Sequence, residues 1–158
     1  FVKARFQNVY GPREMLGAGK WRGTPATVWR NVTPTFIWRA MNNMPIRLDN
    51  NGNSTRDFIY VEDLVDGLIA CSIKGKAGGV YNLASGKETT IKTLAETICK
   101  YTSSSSILNL KPPRNWDHSG RRFGDPTKAE AELGFKCKVE LEEGIKKFSI
   151  WFFNERNK

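Results

Sequence analysis

Arg56 and Asp57 are the residues best placed for chemistry, because they directly precede a short apolar run at 58–60. The aromatic and β-branched side chains of that run predict a strand, and connections between elements often carry functional side chains. An arginine at such a place can hold a phosphate, since its guanidinium is always charged and donates two parallel hydrogen bonds. The alternative is a surface salt bridge between Arg56 and Asp57.

A second candidate is the glycine-rich segment 14–31, which reads as one long loop. Loops of this length in compact domains are usually functional or mobile. Cationic and indole side chains alternate in it, so it can either grip an anionic ligand that carries a ring or cover a core. It does not match a phosphate-binding loop, because Lys20 is followed by tryptophan and not by serine or threonine. The side chains concerned are Lys20, Trp21, Arg22, Trp29 and Arg30.

Metal and disulfide chemistry have little support in the sequence. The chain has an odd number of cysteines, Cys71, Cys99 and Cys137, and no two of them form a Cys-x-x-Cys pair. This pattern indicates free thiols in a reducing compartment and argues against a zinc site. His118 is the only histidine, so sites that need paired histidines are excluded. We therefore expect no metal site and a cytoplasmic protein.

The formal net charge of +9 favours an anionic partner, which can be a nucleic acid, a membrane surface or a phosphorylated small molecule. The charges are spread along the chain, so most of them are expected to form a solvated surface. No apolar run reaches the roughly 18 residues of a membrane span. The N-terminus has neither an initiator Met nor a signal peptide, which leads us to expect a fragment or a processed chain.

Strands and helices alternate in the predicted elements, which indicates an α/β fold. Strands are expected at 1–9, 46–48, 58–60, 80–84 and 107–110. The dipeptide Asn51-Gly52 is a tight-turn signal, and it predicts that strand 46–48 pairs with a strand that starts near Thr55. After Tyr60 the apolar residues recur with a helical period and predict an inward face, which consists of Val61, Leu64, Val65, Leu68 and Ile69.

Further helices are predicted from their start signals. Thr33 and Asp125 each precede a proline, as expected for an N-cap followed by a first-turn proline. Thr90 caps a third helix, and Leu141 opens a last amphipathic helix whose acids come before its bases, in the order that suits the helix dipole.

Four motifs occur in a fixed order along the chain. They are Asn-Val-Tyr-Gly-Pro at 8–12, Arg-Asp-Phe-Ile-Tyr-Val-x-Asp at 56–63, Tyr-Asn-Leu-Ala-Ser-Gly at 81–86, and Arg-Arg at 121–122 before a Lys-Ala-x-x-x-Leu-Gly helix at 128–134. Together they resemble the extended short-chain dehydrogenases/reductases (SDRs), specifically the NAD-dependent nucleotide-sugar epimerase/dehydratase family. The resemblance covers almost the whole chain and points to the C-terminal, substrate-binding portion of such an enzyme.

The resemblance implies partial Rossmann-like sheet strands plus the small mixed α/β substrate-binding domain of an extended SDR. Residues 1–13 and about 56–86 would include the Rossmann strands, and about 14–55 and 87–158 would be mainly substrate-binding. The family's glycine-rich NAD loop is absent, and none of the four tyrosines is followed by Lys in a Tyr-x-x-x-Lys spacing. The implied function is therefore the nucleotide-sugar-binding part of an enzyme like UDP-glucose 4-epimerase, an isomerase, or like a dehydratase, a lyase.

The resemblance also assigns roles to single residues. The substrate diphosphate is expected to meet Asn8 and Arg56, and a late arginine near the diphosphate or ribose is expected at Arg122, with Arg121 as the register alternative. Asp125 either accepts from a ribose hydroxyl or caps its helix. Thr33 and Phe36 touch the base or phosphate, or else serve as a cap and a core residue. The turn against the nicotinamide is expected at Tyr10, Gly11 and Pro12, with core packing as the alternative for Tyr10.

The implied partner is a nucleotide diphosphate sugar, and neither a nucleic acid nor a membrane is expected as a partner. The intact enzyme would be a homodimer, with NAD bound mainly outside this chain. No catalytic residue is expected here, so the isolated chain is expected to be inactive. A non-catalytic module that binds a nucleotide or a protein partner is the alternative. Trp116 and His118, next to the Arg-Arg pair, are expected to stack on a base. A basic nucleic-acid-binding domain is a third interpretation, which the four motifs disfavour.

Overall fold

The computed structural model describes residues 1–14, 31–115 and 120–156, in which strands and helices alternate and confirm the predicted α/β class. The strands are β1 (Lys3–Phe6), β2 (Asn8–Tyr10), β3 (Ile46–Leu48), β4 (Thr55–Arg56), β5 (Phe58–Tyr60), β6 (Val80–Leu83), β7 (Thr89–Thr90), β8 (Leu108–Leu110) and β9 (Arg121–Arg122). The helices are α1 (Val32–Met41), α2 (Val61–Lys74), α3 (Ile91–Thr102), α4 (Thr127–Leu133) and α5 (Leu141–Arg156), with a 3₁₀ turn at Asp49–Gly52.

The predicted first strand, 1–9, divides into two strands that have different partners. β1 lies parallel to β6 and β2 lies parallel to β5, so the partner changes at Gln7. The amide of Asn8 donates to the carbonyl of Asp57 (3.0 Å), which continues the second pairing. Parallel strands need a crossover connection, and α2 connects β5 to β6.

Two hydrophobic cores lie on either side of β5. The large core joins β2, β3 and β5 with α1, α3 and α5, and the small core joins β5 and β6 with α2 and α4. Alternate residues of a strand face opposite sides, so Phe58 and Tyr60 enter the large core while Ile59 enters the small one. β5 therefore contributes side chains to both cores, and it coincides with the strand predicted at 58–60.

The predicted pairing through Asn51-Gly52 is wrong. β3 pairs in parallel with β8, whereas β4 pairs with β7 and β9. Asn50 and Asn51 are both left-handed (φ 52°), which builds a tight turn. The amide of Asn51 donates to the carbonyl of Lys111 (2.8 Å), so the turn holds the end of β8 and does not close a hairpin.

The helix starts differ in how well the sequence predicted them. Thr90 caps α3 and accepts from the amide of Thr93 (2.9 Å), as predicted. The predicted start at Asp125 is shifted by one residue, because Pro126 occupies the N-cap position of α4; the carboxylate of Asp125 accepts from the amide of Thr127 (2.9 Å), the first residue of the helix. Thr33 is not a cap, because α1 already begins at Val32 and Thr33 is buried inside its first turn.

The predicted inward face of α2 is rotated in the structure. Leu64 and Cys71 are buried, but Val65, Leu68 and Ile69 are 40–52% exposed. The helix approaches its neighbours through Gly67, where an added Cβ would lie 2.9 Å from the ring of Phe135. A periodicity count that weighs only apolar side chains misses this contact, since glycine has no side chain to count.

Helix α2 also buries a carboxylate that the sequence pattern did not single out. Asp63 is 3% exposed and accepts from the amides of Lys138 (3.2 Å) and Val139 (3.0 Å). These bonds fix the segment that leads into α5.

None of the helices in the described ranges combines the length and the apolar character that a bilayer crossing needs. Within the same residues, no group of three or more His, Cys, Asp or Glu is arranged to hold a metal ion. The three cysteines are free thiols, and burial raises the pKa of Cys137 to about 12, so this thiol stays protonated at neutral pH.

Asp57 is fully buried and is not the surface partner that its position next to Arg56 suggested. Its Oδ1 accepts from the amide (2.9 Å) and hydroxyl (2.7 Å) of Ser85. Its Oδ2 accepts from the amides of Gly86 (3.0 Å) and Gly124 (3.3 Å). A buried carboxylate is tolerated only when it is hydrogen-bonded in this way, and here it joins three segments that are distant in sequence.

We expect Asp57→Ala to lower the free energy of unfolding by about 3 kcal/mol or more, because buried amide donors lose a charged acceptor. Urea unfolding followed by circular dichroism measures the change. The matched control is Asp66→Ala, which removes an exposed acid of α2 that pairs with Lys138 (2.6 Å) of the segment before α5 and should change stability little. Equal losses in the two variants would contradict this account of Asp57.

Candidate functional site

A cavity of about 870 Å³ opens between β2, the start of α1, the turn after β3, and β4. Much of its wall consists of polar and charged residues, which can form hydrogen bonds or ion pairs with a ligand. They are Gln7, Asn8, Glu14, Asn31, Thr33, Thr35, Arg39, Arg47, Asp49, Ser54, Arg56 and Arg114, with Phe6, Val9, Val32, Phe36 and Ile91 as the apolar part. A volume of this size is typical of small-molecule pockets.

Asn8, Arg56, Thr33 and Phe36, predicted as substrate contacts, lie in this wall. Asn8 opens β2 with its side chain exposed. Arg56 ends β4, where its Nη1 donates to the carbonyl of Thr55 (2.7 Å). Thr33 and Phe36 are largely buried on α1 and present only a small surface to the cavity.

Arg121, Arg122 and Asp125, the other predicted substrate contacts, are not part of the wall. Arg122 is exposed and lies beside Arg56 in the register of β9 and β4. Asp125 is exposed and bonded to Thr127, and the hydroxyl and amide of Thr127 lower the pKa of its carboxyl.

Arg121 is committed to a contact within the fold. Its Nε and Nη2 both donate to the carboxylate of Glu88 at 2.7 Å. The same carboxylate accepts from the hydroxyl of Thr55, and these bonds lower the pKa of Glu88 to about 2. The Arg121 guanidinium therefore helps to hold β9 against β4.

Sequence reasoning missed several charged residues of the wall, which are Arg39, Arg47, Asp49 and Arg114. The spacing Arg47-x-Asp49 was a usable signal, because residues two apart in an extended segment share a face. Arg114 had no such signal, since it reaches the cavity only through the pairing of β3 with β8. The carboxylate of Asp49 lies between two of these arginines and contacts both Arg47 (2.7 Å) and Arg114 (2.6 Å).

Glu14 brings a perturbed carboxyl group to the cavity. Burial raises its pKa from 4.5 to about 7, and a backbone hydrogen bond from Gly11 offsets only part of this effect. Its Oε2 is buried without a hydrogen-bond partner among the described residues. The carboxyl group can therefore change its charge near neutral pH.

The turn predicted to border the nicotinamide is packed into the fold. Tyr10 is 1% exposed, its ring meets Tyr60 edge-on (5.6 Å between centroids), and burial raises the pKa of its hydroxyl. Gly11 has φ +142°, and an added Cβ there would lie 2.7 Å from Val61. Pro12 is half-buried. The turn thus offers backbone groups and no charged side chain to a ligand.

Some predicted contacts lie outside the described residues. Trp116 and His118 fall in 116–119, and Lys20, Trp21, Arg22, Trp29 and Arg30 fall in 15–30.

Comparison with known proteins identifies the family. Residues 18–148 match the family model described as GDP-mannose 4,6 dehydratase. The chain belongs to this family. Its members are extended SDRs, NAD-dependent nucleotide-sugar epimerases and dehydratases, which confirms the resemblance carried by the four motifs.

Among solved structures, the Bordetella bronchiseptica enzyme WbmF, in complex with NAD⁺ and UDP, is 55% identical with a TM-score of 0.87 over 99% of this chain and 46% of that chain. UDP-glucose 4-epimerase from Thermotoga maritima, with UDP-glucose, is 29% identical with a TM-score of 0.85 over 99% and 47%. Among curated proteins, UDP-glucuronic acid decarboxylase 1 of Arabidopsis thaliana is 31% identical over 96% of this chain and 32% of its own length. The chain thus spans about a third of that curated relative and just under half of those solved chains.

We expect Glu14→Gln to stabilise the chain at pH 8 and not at pH 4.5. The folded chain holds the Glu14 proton up to about pH 7, whereas the unfolded chain releases it near 4.5. The stabilising contribution of this group is therefore complete below about pH 4.5 and is lost as the pH rises through about 7. Thermal melts at several pH values measure the difference from wild type.

The control for this experiment is Glu96→Gln on the exposed face of α3, which removes a carboxyl group away from the cavity. A wild-type pH profile that Glu14→Gln leaves unchanged would show that Glu14 is not held in its protonated form.

Proposed function

We propose that this chain forms the nucleotide-sugar-binding part of an NAD-dependent epimerase or dehydratase, and that its cavity receives the diphosphate of the ligand. The observation that carries the proposal is the meeting of Asn8 and Arg56 in one cavity wall. These residues come from two separate family motifs, and β2 and β4 bring them together although 47 positions separate them in the sequence. Their types suit the task, because a guanidinium and an amide both donate to phosphate oxygens.

The charge of the wall supports an anionic ligand. Arg39, Arg47, Arg56 and Arg114 outnumber the acids Asp49 and Glu14, and Glu14 is partly protonated near neutral pH. A surplus of positive charge in a concave site raises the local concentration of anions. In this proposal Thr33 and Phe36 form the floor at the start of α1, next to the diphosphate or base.

The proposal also includes the three predicted contacts outside the cavity wall, which differ in how well they can reach a ligand. Arg122 lies next to Arg56 in register and is exposed, so it can reach a ligand that extends out of the cavity. Arg121 is the weaker candidate, because its guanidinium is paired with Glu88. The carboxylate of Asp125 is hydrogen-bonded to the first residue of α4, which supports a structural role at the helix start over a contact with ribose.

NAD is the hydride acceptor in enzymes of this family, but the described residues do not form a binding site for it. The site of a Cβ on Gly11 is filled by Val61, and Tyr10 is buried. We therefore assign no reaction step to this chain, and we propose only that the turn Tyr10–Gly11–Pro12 borders the nicotinamide through its backbone.

Uridine is the proposed base, because WbmF was crystallised with UDP and the Thermotoga epimerase with UDP-glucose. We further propose a cytoplasmic protein that acts in a homodimeric enzyme and binds neither nucleic acid nor membranes. The division into Rossmann strands (1–13 and about 56–86) and a mainly substrate-binding region (about 14–55 and 87–158) also belongs to this proposal.

The test is a thermal-melt panel on this chain with UDP, GDP, dTDP, UDP-glucose and NAD. We expect UDP and UDP-glucose to raise the melting temperature most. Arg56→Ala and Asn8→Ala should each weaken UDP binding about tenfold or more, since a hydrogen bond to a charged group contributes about 1.5–3 kcal/mol. We expect Arg122→Ala to act more strongly than Arg121→Ala.

The matched control is Lys146→Ala, which removes one positive charge from an exposed position of α5 away from the cavity and should leave UDP binding intact. A UDP-induced shift that is equal in wild type and Arg56→Ala would overturn the proposed site. A cooperative melt that no nucleotide raises would overturn the proposed function.

We expect no turnover when the chain is incubated with NAD and UDP-glucose, because its sequence contains no Tyr-x-x-x-Lys pair to act on the sugar. The measurement is product analysis by chromatography, with the Thermotoga maritima UDP-glucose 4-epimerase as the positive control. Any conversion above background would contradict the assignment of a binding role alone.

A further inference from the structure

Asp49 lies at a point where two distant parts of the chain are held together. It begins the 3₁₀ turn directly after β3. The carbonyl of Leu48 accepts from the amide of Lys111 (2.9 Å), and the amide of Asn51 donates to the carbonyl of Lys111 (2.8 Å). The backbone on both sides of Asp49 is therefore fixed against Lys111, which directly follows β8 and lies three residues before Arg114.

The two oxygens of the Asp49 carboxylate have different partners. Oδ1 accepts from Nε of Arg47 at 2.7 Å, and Oδ2 contacts Nη2 of Arg114 at 2.6 Å. The acid is the most buried member of the cluster, with a side-chain exposure of 22% against 61% for Arg47 and 44% for Arg114. All three side chains line the ligand cavity.

This arrangement contributes little to stability, since partly exposed ion pairs are typically worth about 0–1 kcal/mol. It does restrict the directions in which the two guanidinium groups point. A guanidinium carries five N–H donors in a rigid fork, so a bond at one nitrogen sets the plane in which the others point. With one acid between two bases, the cluster keeps a net positive charge at the cavity wall.

We propose that Asp49 is a positioning residue, which holds the guanidinium groups of Arg47 and Arg114 in the orientation that receives the anionic part of a nucleoside diphosphate. This inference rests on the proposed function of the cavity. In this proposal Asp49 acts through the two arginines, and its own negative charge opposes ligand binding. The benefit comes from fixing two long side chains before the ligand arrives, because ordering each one costs free energy on binding.

Asp49→Asn separates positioning from simple electrostatics, because the two effects have opposite signs. Removing a negative charge beside an anionic ligand strengthens binding by Coulomb's law. Loss of the charged bridge, in contrast, removes one restraint from each guanidinium group and should weaken UDP binding about tenfold. Isothermal titration of the full chain with UDP measures the direction of the change.

Asp66→Asn is the matched control, since it makes the same charge change at an exposed residue of α2, which pairs with Lys138 of the segment before α5. It should leave UDP affinity within a factor of about two, as expected for an exposed charge outside the site. A second readout needs no ligand. In NMR spectra, the Nε–H proton of Arg47 should exchange slowly with water in wild type and quickly in Asp49→Asn.

Weaker UDP binding together with faster Nε–H exchange supports the inference. Unchanged or tighter UDP binding in Asp49→Asn overturns it while leaving the proposed function intact, and so does an unchanged exchange rate. If wild type itself does not bind UDP, both the proposed function and this inference fail.

Discussion

The buried carboxylate of Asp57 is the interaction on which the arrangement of the cavity depends. It accepts from the loop after β6 and from the loop before α4, and the strands next to those loops, β7 and β9, pair with β4 on either side. Burying such a group is costly unless its hydrogen bonds are made, so the three segments must assemble together. Arg56, one residue earlier, takes its position in the cavity wall from this assembly.

The cavity collects positive charge from segments that are far apart in sequence. Arg39 comes from α1, Arg56 from β4, and Arg114 from the residues that follow β8. Like charges at close range repel one another, so such a wall is stable when acids interrupt it. Asp49 does so between two guanidinium groups. What remains is a concave, net positive surface whose chemistry suits a diphosphate.

Local patterns predicted the parts of the molecule that local physics determines. The β5–α2 unit, the cap at Thr90 and the placement of Arg56 before a strand all follow from residue types within a few positions. Long-range pairing did not follow: Asn51-Gly52 is a good turn signal, yet the turn serves the β3–β8 pair. The role of Asp57 was hidden for the same reason, because three of its four donors are the backbone amides of residues 85, 86 and 124, which a pattern of side chains does not show.

A crystal structure of this chain with UDP tests the central claim most directly, because it locates the diphosphate. The account predicts that the phosphate oxygens lie within hydrogen-bonding distance, about 2.7–3.2 Å, of the side chains of Asn8 and Arg56, with Arg47 and Arg114 facing the same ligand. Clear density for UDP at another surface, with the cavity wall unchanged, would contradict the account.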